Sequence, residues 1–415
     1  MRVGIIGAGV IGVSAAHALM RDGHDVTLFD RDGICEGASL GNAGAFAFSD
    51  IIPLATPGIL LKAPKWLFDP LGPLSIRPSY LLRLLPWMMR FARASMPDRY
   101  ASAVASQAAL MTYSQDALNH FVVSAGMEHL LRREGQLQIY NSADTLNASQ
   151  KGWEERAEAG IRFDTITSHK AISDIQPGVD PRFSHAVFTP DWINVTDPKV
   201  WVEAIAEDAM RHGVTLHREA VVALHSDDNG ARLFTASGEH SFDRVVVAAG
   251  AFCTQVLNPL GLHLPLDTER GYNTTLPAGA FDLRTHVTFA DHGFVVTKIG
   301  DGVRVGGAVE LGGLNLPPNM ARAKALLDKA QSFLPALNTE GGTQWMGFRP
   351  SMPDSLPVIG AAPGARNIIL AFGHGHLGLT QSQGTADMVA DIVSDRPSNI
   401  DRAPYAPERF TGHRA

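Results

Sequence analysis

Apolar and polar positions change their spacing several times along the chain. Val3–Ile6 is a short apolar run, the pattern of a strand. Residues 10–21 are alanine-rich and predict a helix that stops before Gly23, and Val26–Phe29 is a second strand ending at Asp30. Residues 31–58, rich in Gly, Ala and Ser with little periodicity, predict mostly loop. Leu81–Ala94 reads as a basic amphipathic helix and residues 101–125 as a further helix. Gln136–Tyr140 alternates as a strand, and residues 183–195 predict strands joined by a turn. A helix over 198–212 leads into a strand at Val214–Leu216. Phe242–Ala248 predicts another strand, with a Val245-Val246-Val247 centre apolar enough for burial on both faces. Residues 267–311 predict several strands with glycine turns, 319–334 a helix, Asn367–Phe372 a buried strand and 377–394 the last long helix. No repeat or low-complexity tract interrupts this order. Because βα units recur at both ends and around 200–250, we expect a parallel-sheet domain assembled from separated segments, with a second domain inserted into it.

Composition narrows the classes. The 415 residues are 45% hydrophobic and 19% charged, enough for a large core. With 35 basic against 42 acidic residues and a formal charge of −7, a generally basic nucleic-acid-binding surface is not expected. Cys35 and Cys253 are the only cysteines, which excludes a disulfide framework and a cysteine-rich metal site. Met1-Arg2 runs straight into the first strand without a secretory signal, so a cytoplasmic location is expected. No run of about 20 apolar residues predicts a spanning helix. Between residues 60 and 100, Lys62, Lys65, Arg77, Arg83, Arg90, Arg93 and Arg99 stand against only Asp69 and Asp98, with Trp66, Phe68, Tyr80, Trp87 and Phe91 among them. One reading is peripheral contact with an anionic membrane on its inner face. The favoured reading is a helix packed on the body with arginines at its solvated edge, because Pro86 interrupts it and globular helices share the pattern.

The first candidate chemistry lies at Gly7-Ala8-Gly9-Val10-Ile11-Gly12, a G-x-G-x-x-G that follows a strand and opens a helix. Gly7 allows the tight turn, Gly9 lets the backbone approach a pyrophosphate and Gly12 lets helix pack on strand. Asp30, about 20 residues on, suits a ribose hydroxyl, and Arg31 follows it. Two later features favour FAD over a nicotinamide cofactor. Residues 36–44, with Ala38, Ser39, Asn42, Ala43 and Gly44, suit a second backbone cradle for a long cofactor. Val245–Gly250 is a strand ending in small residues, which puts Ala248 and Gly250 in reach of the pyrophosphate. Val222 is counted with these cofactor-binding residues.

A second strand–loop–helix unit closes the chain. The expected strand at 367–372 runs into Gly373-His374-Gly375-His376-Leu377-Gly378-Leu379-Thr380. The helix N-terminus would stabilise negative charge on a reduced isoalloxazine ring, through N–H groups near Leu377, Gly378 and Leu379, with Gly373, His374, Gly375 and Thr380 counted among the cofactor-binding residues. Arg349 is the candidate for a substrate carboxylate, because its guanidinium fork binds two oxygens; a structural pairing with Asp354 or with a backbone carbonyl is the alternative. His374 and His376 sit two apart, but no nearby Glu or Cys completes a ligand set, so no metal is expected. His376 is a candidate for substrate or flavin contact, whereas His374 reads equally as a packed residue. Tyr272 could bond substrate or cap the flavin face; an ordinary strand aromatic is the leading alternative. No G-x-S-x-G elbow is present to supply a hydrolase nucleophile.

Together these residues resemble the D-amino-acid oxidase superfamily of flavoproteins, specifically its bacterial D-amino-acid dehydrogenase branch. The likeness spans nearly the whole chain: Gly7–Gly12 with Asp30, Ala38-Ser39 with Asn42-Ala43-Gly44, Pro64-Lys65-Trp66, Val245–Gly250, Arg349-Pro350 with Pro353-Asp354 and Pro357, and Gly373-His374-Gly375. Asp69–Arg77, Asp267–Tyr272, Trp345–Pro350 and Gly373–Gly378 are similar to a subgroup that includes glyphosate oxidoreductase and hydroxyproline-type dehydrogenases. The resemblance implies an α/β fold, in which a Rossmann-type FAD-binding domain (1–95, 196–265 and 340–415) carries an inserted α+β substrate domain (96–195 and 266–339) dominated by an antiparallel sheet. It implies non-covalent FAD, Arg349 as the carboxylate-binding arginine, and oxidation of an amino acid's Cα–N bond by hydride transfer to flavin. The electron acceptor would be oxygen or a membrane quinone. The family's glycine oxidases carry a second arginine where His376 stands here, which counts against simple glycine as substrate. The subgroup leans toward secondary amines such as D-proline, hydroxy-D-proline, sarcosine or glyphosate. Primary D-amino acids such as D-alanine, an NAD-dependent dehydrogenase and a non-catalytic flavin-binding protein are the alternatives.

Overall fold

Two sheets organise the chain, and the candidate site lies where they meet. The computed structural model describes residues 1–62, 71–72 and 74–411. The first sheet runs in the order Thr215–His217, Asp25–Phe29, Arg2–Ile6, Arg244–Val247, Ala365–Phe372 and Val358–Ala362. Its first five strands are parallel and the last is antiparallel. Val3, Ile5, Val245, Val246, Val247, Ile368 and Ile369 are fully buried, as two-sided coverage demands. Helices Val10–Arg21, Pro198–Arg211 and Gly378–Val393 pack together, and Pro97–Ala125 packs on the last of them. Ile6 pairs with Phe29 on one side and Val247 on the other, so Gly7, Asp30 and Ala248 leave the sheet at the same edge.

The second sheet is large and mainly antiparallel. Its order is Thr343–Ser351, Asp267–Leu276, Gly302–Leu311, Phe294–Ile299, His286–Phe289, Gln136–Tyr140, His185–Thr189 and Asp164–Ile166, with Leu74–Ile76 added beside Gly302–Leu311. Two pairings are parallel: His286–Phe289 with Gln136–Tyr140, and Gly302–Leu311 with Leu74–Ile76. Helix Ala321–Phe333 packs on this sheet through Leu326, Ala330 and Phe333, against Phe289, Phe294, Val296 and Val305.

Several local expectations change. Leu74–Ile76 and Thr343–Ser351, counted with the nucleotide side in the sequence, are hydrogen-bonded into the large sheet. Without the second of these, Asp267–Leu276 would expose a row of unpaired N–H and C=O groups. The expected strand Phe242–Ala248 divides at Asp243. Phe242 ends an unanticipated three-stranded meander (Ala223–Asp227, Gly230–Thr235, Gly238–Phe242), and Arg244 begins the parallel strand. Within the expected loop 31–58, Ala45–Phe46 pairs with Ile193–Val195. Pro86 does not end helix Leu81–Ala94, whose Leu84, Trp87 and Phe91 are buried. Lys65, Trp66, Phe68, Asp69 and the Pro64-Lys65-Trp66 match lie outside the described residues. Among the described residues, no helix is long and apolar enough to cross a membrane.

Candidate active site

The glycine turn is built so that backbone can lie bare at the helix start. Gly7 sits at φ +108°, and a Cβ there would come within 2.5 Å of the Ala248 carbonyl oxygen. A Cβ on Gly12 would lie 1.9 Å from the Gly7 oxygen, so the helix could not approach the strand. Gly9 faces Ser39, whose Oγ accepts the Val10 N–H at 3.0 Å. Asp30 Oδ2 accepts the Ala8 N–H at 2.8 Å, while Oδ1 accepts from Asp32 and Gly33 at 2.9 and 3.0 Å. Asp30 therefore braces the turn besides standing where a ribose is expected. A carboxylate has roughly four acceptor sites, so capacity for a hydroxyl remains. A dinucleotide fits this cradle: Gly7 and Gly12 allow the tight turn and the close helix–strand approach that bare it, Gly9 keeps its backbone uncovered, and the Ile11 and Gly12 N–H groups at the helix start have no intrahelical acceptor.

The other expected cofactor residues distribute unevenly. Ala248 is buried and donates its N–H to Ile6, and Gly250 at φ +56° starts a short helical turn beside it. Exposed Arg31 binds Asp32 and lies 5.3 Å over the Phe252 ring. Val222 donates its N–H to Phe234 within the meander and leaves its side chain 69% exposed.

The segment 36–44 is held from the large sheet by residues the sequence reading missed. Asn42 Oδ1 accepts the Gly44 N–H at 2.8 Å, closing the loop on itself, with exposed Ala38 before it and Ala43 within it. Asn273 donates to the Gly41 carbonyl at 2.9 Å, and Arg304 donates to the carbonyls of Leu40 and Asn42. The Trp345 ring covers Gly41 so closely that a Cβ there would lie 2.1 Å away. In sequence these three look like ordinary strand residues. A usable signal was the pairing of bulky Trp345 with Gly347 two residues on, where the ring lies across the bare backbone.

At the C-terminal unit, the loop after Phe372 is tied to the strand that carries Arg349. Gly373 and Gly375 take φ +86° and +55°. Gly375 donates to the Pro350 carbonyl at 2.7 Å, and His374 forms a bridge with Ser351. His374 is buried, bonds Thr385 at 2.9 Å, and is pushed by burial down to about 3, so it is a neutral packed residue. Leu377 and Leu379 are buried, and the helix starts at Gly378. Thr380 Oγ1 accepts the Ala47 N–H at 3.0 Å and donates to the Ala45 carbonyl at 3.3 Å, clamping the short strand to the helix.

Arg349 stands opposite Glu269 in the sheet register, and its guanidinium lies over Gly271, where a Cβ would meet it at 2.6 Å. Its Nη1 donates to the Ala308 carbonyl at 3.3 Å; Ala308, at φ +52°, lies in an irregularity of Gly302–Leu311, the strand on the far side of Asp267–Leu276. Burial lowers its pKa against the pull of Glu269, yet a guanidinium stays charged. Of the two structural pairings expected as the alternative, the one with Asp354 does not form, because Asp354 binds Arg409 at 2.8 Å, whereas the one with a backbone carbonyl does, at Ala308. His376 is more exposed, with Nε2 3.8 Å from Asp50. Burial alone would raise the Asp50 pKa, but His376 and Arg156 outweigh it and hold it low. His376 lines a small, partly open hollow with Ile52, Pro53, Leu54, Glu269 and Ser351.

Tyr272 does not join this group. Side chains alternate along Asp267–Leu276, so Glu269, Gly271 and Asn273 share the Arg349 face and Tyr272 takes the other. There it is 1% exposed, donates to Glu310 at 3.0 Å and accepts from the Asn319 N–H at 3.0 Å. Contact with substrate or with the flavin face does not follow from this position.

Comparison with known proteins agrees with the geometry. Residues 2–392 match the family described as DAO, FAD dependent oxidoreductase. A D-amino-acid oxidase of Bradyrhizobium diazoefficiens is 37% identical over 418 residues, covering 98% of each chain. A D-amino acid dehydrogenase of Rhizobium rhizogenes is 33% identical over 422 residues, covering 99% of this chain and 100% of its own. Glycine oxidase from Geobacillus kaustophilus superposes with a TM-score of 0.76 at 22% identity, covering 99% of this chain and 100% of that one, a likeness of fold.

Proposed function

The chain belongs to the DAO family of FAD-dependent oxidoreductases, and we propose that it oxidises the Cα–N bond of an amino acid whose carboxylate docks on Arg349. The observation that carries this reading is the Pro350–Gly375 hydrogen bond. It fixes the strand bearing Arg349 against the loop that opens helix Gly378–Val393. When bound, FAD supplies the acceptor for the hydride leaving Cα. The chain's own residues do the rest. The Gly7–Gly12 turn and its helix start hold the pyrophosphate, Asp30 the ribose, and Ser39–Gly44 the middle of the cofactor. The first N–H groups of Gly378–Val393 stabilise negative charge at the far end. Arg349 orients the substrate, with the Ala308 carbonyl limiting its rotation. His376 stands at the rim of the hollow, where it meets the substrate's side chain. The amine must be neutral for its lone pair to support the imine, which then hydrolyses to an oxo acid plus amine or ammonia.

The substrate we favour is a secondary amine: D-proline, a hydroxy-D-proline, or an N-substituted glycine such as sarcosine or glyphosate. Its support is the motif likeness at Asp267–Tyr272 and Trp345–Pro350. Primary D-amino acids such as D-alanine form the second reading, favoured by the names of the two relatives. Anaerobic titration of the purified yellow protein with D-alanine, D-proline, cis-4-hydroxy-D-proline, sarcosine and glyphosate separates them by which one bleaches the flavin band. A protein that none of the five bleaches ends both readings.

For the acceptor we favour a membrane quinone over oxygen. Leu82, Leu85 and Met89 are 80%, 46% and 73% exposed on helix Leu81–Ala94, beside exposed Arg83, Arg90 and Arg93. An apolar stripe flanked by arginines suits an anionic bilayer surface. The holoenzyme should sediment with anionic vesicles, and Leu82→Glu with Met89→Glu should abolish it; a holoenzyme left in the supernatant removes the membrane reading.

A further inference from the structure

Glu269 is a carboxylate without an adequate partner. It lies within strand Asp267–Leu276 and is 4% exposed. Its Oε1 accepts from Ser351 at 2.7 Å. Its Oε2 is buried and has no hydrogen-bond partner among the described residues. Arg349, directly across the ladder, does not close the gap: its guanidinium leans over Gly271 and donates to the Ala308 carbonyl. A buried carboxylate oxygen left bare is strongly unfavourable unless a cation reaches it.

The surroundings point to which cation that is. Glu269 is on the wall of the hollow that His376, Ser351 and the apolar residues Ile52, Pro53 and Leu54 also line. Cross-strand neighbours have Cβ atoms about 5 Å apart, so the anion of Glu269 and the cation of Arg349 stand side by side on one face. An amino acid carries the complementary pair on a single carbon. We infer that Glu269 binds the substrate's amino group, so that this site receives a zwitterion rather than a carboxylate alone. The inference rests on the carboxylate-docking role proposed for Arg349. The ammonium donates N–H to Oε2 while Arg349 holds the carboxylate, one proton passes from the ammonium to the Glu269 carboxylate to leave the neutral amine that oxidation requires, and the apolar wall takes the side chain or N-substituent.

The test compares two ligands on the holoenzyme and on Glu269→Gln. Tetrahydrofuran-2-carboxylate has the shape of proline without the N–H, and its Kd is read from perturbation of the flavin spectrum. D-Proline and D-alanine are the zwitterionic probes, read under anaerobic conditions from the concentration dependence of flavin bleaching. Removing the negative charge should tighten the carboxylate-only ligand and weaken the amino acids, each by about tenfold, opposite shifts expected of a charge-assisted contact. A merely structural role moves both ligands the same way or neither, and either outcome overturns the inference. Should Glu269→Gln not fold, Glu269→Asp keeps the charge and must keep the preference for amino acid over carboxylate; loss of that preference with an intact flavin spectrum also overturns it. Failure of the Arg349 reading is separable: Arg349→Ala would then bind tetrahydrofuran-2-carboxylate as well as the unaltered protein does.

Discussion

Arg270 and Arg349 sit on adjacent strands, each beside a buried glutamate, and their hydrogen bonding differs completely. Arg270 is 0% exposed and donates to Gly313, Leu316 and Pro317 carbonyls and to Glu310, at 2.6–3.2 Å. Tyr272 closes the same cluster through Glu310. On the other face, among the described residues, Arg349 makes a single bond at 3.3 Å, and Glu269 and Asn273 each keep a buried oxygen without a partner. A guanidinium has five N–H donors. Where the fold uses nearly all of them the arginine is structural, and where it leaves most of them open a ligand is expected to complete the set.

Substitutions can break this contrast. Arg270→Ala should destabilise the protein by up to about 3–5 kcal/mol, because it removes the nearer cation from the buried Glu310 carboxylate and leaves it to the Tyr272 hydroxyl and to Arg77 at 3.7 Å; urea unfolding of the holoenzyme measures it. A loss of activity at unchanged stability would make Arg270 the functional arginine instead. Arg349→Ala should do the reverse, changing stability by about 1 kcal/mol or less. Its cost falls on kcat/KM, by roughly two orders of magnitude or about 3 kcal/mol, with FAD still bound; loss of FAD would overturn the role assigned to it.

Tyr272→Phe sharpens the assignment of the two faces. It removes the hydroxyl shared by Glu310 and the Asn319 N–H, costing about 1–3 kcal/mol of stability, while the kcat of the folded enzyme stays the same. A large fall in kcat at unchanged stability would put Tyr272 back in the site. The last expected effect is one of pH and concerns histidines. His374 and His286 are held by burial near pH 3 and 4, below the ordinary 6.5. Above pH 6.5 both are neutral in folded and unfolded chains alike. As pH falls through 6.5 the unfolded chain takes protons that the folded chain refuses. Stability should then drop by at most about 1.4 kcal/mol per pH unit for each histidine, until the folded pKa is reached. A denaturation midpoint that stays flat between pH 6.5 and 4 would show that neither histidine is buried neutral.

Much of the nucleotide side was legible because its determinants are local. A strand, three glycines, a helix and an acid follow one another within thirty residues, and each obeys a backbone rule that no distant contact can relax. The structure confirms the turn at Gly7–Gly12 and adds to Asp30 a bracing role that spacing does not reveal. The large sheet was legible only as a supply of strands. Its register aligns Arg349 with Glu269 although 79 sequence positions separate them, and no periodicity within either segment encodes that pairing.

Sequence alone therefore determined the long helices, the parallel strands beside them and the glycine turn, since these depend on residue type and near neighbours. Tertiary structure decided which face each strand residue occupies, and so separated Tyr272 from Arg349. It moved Leu74–Ile76 and Thr343–Ser351 into the large sheet, and it brought Asn273, Arg304 and Trp345 onto the 36–44 loop. The physical reason is that backbone hydrogen bonding must be completed across long separations, and the pairing that completes it also fixes which polar side chains are left open to a ligand.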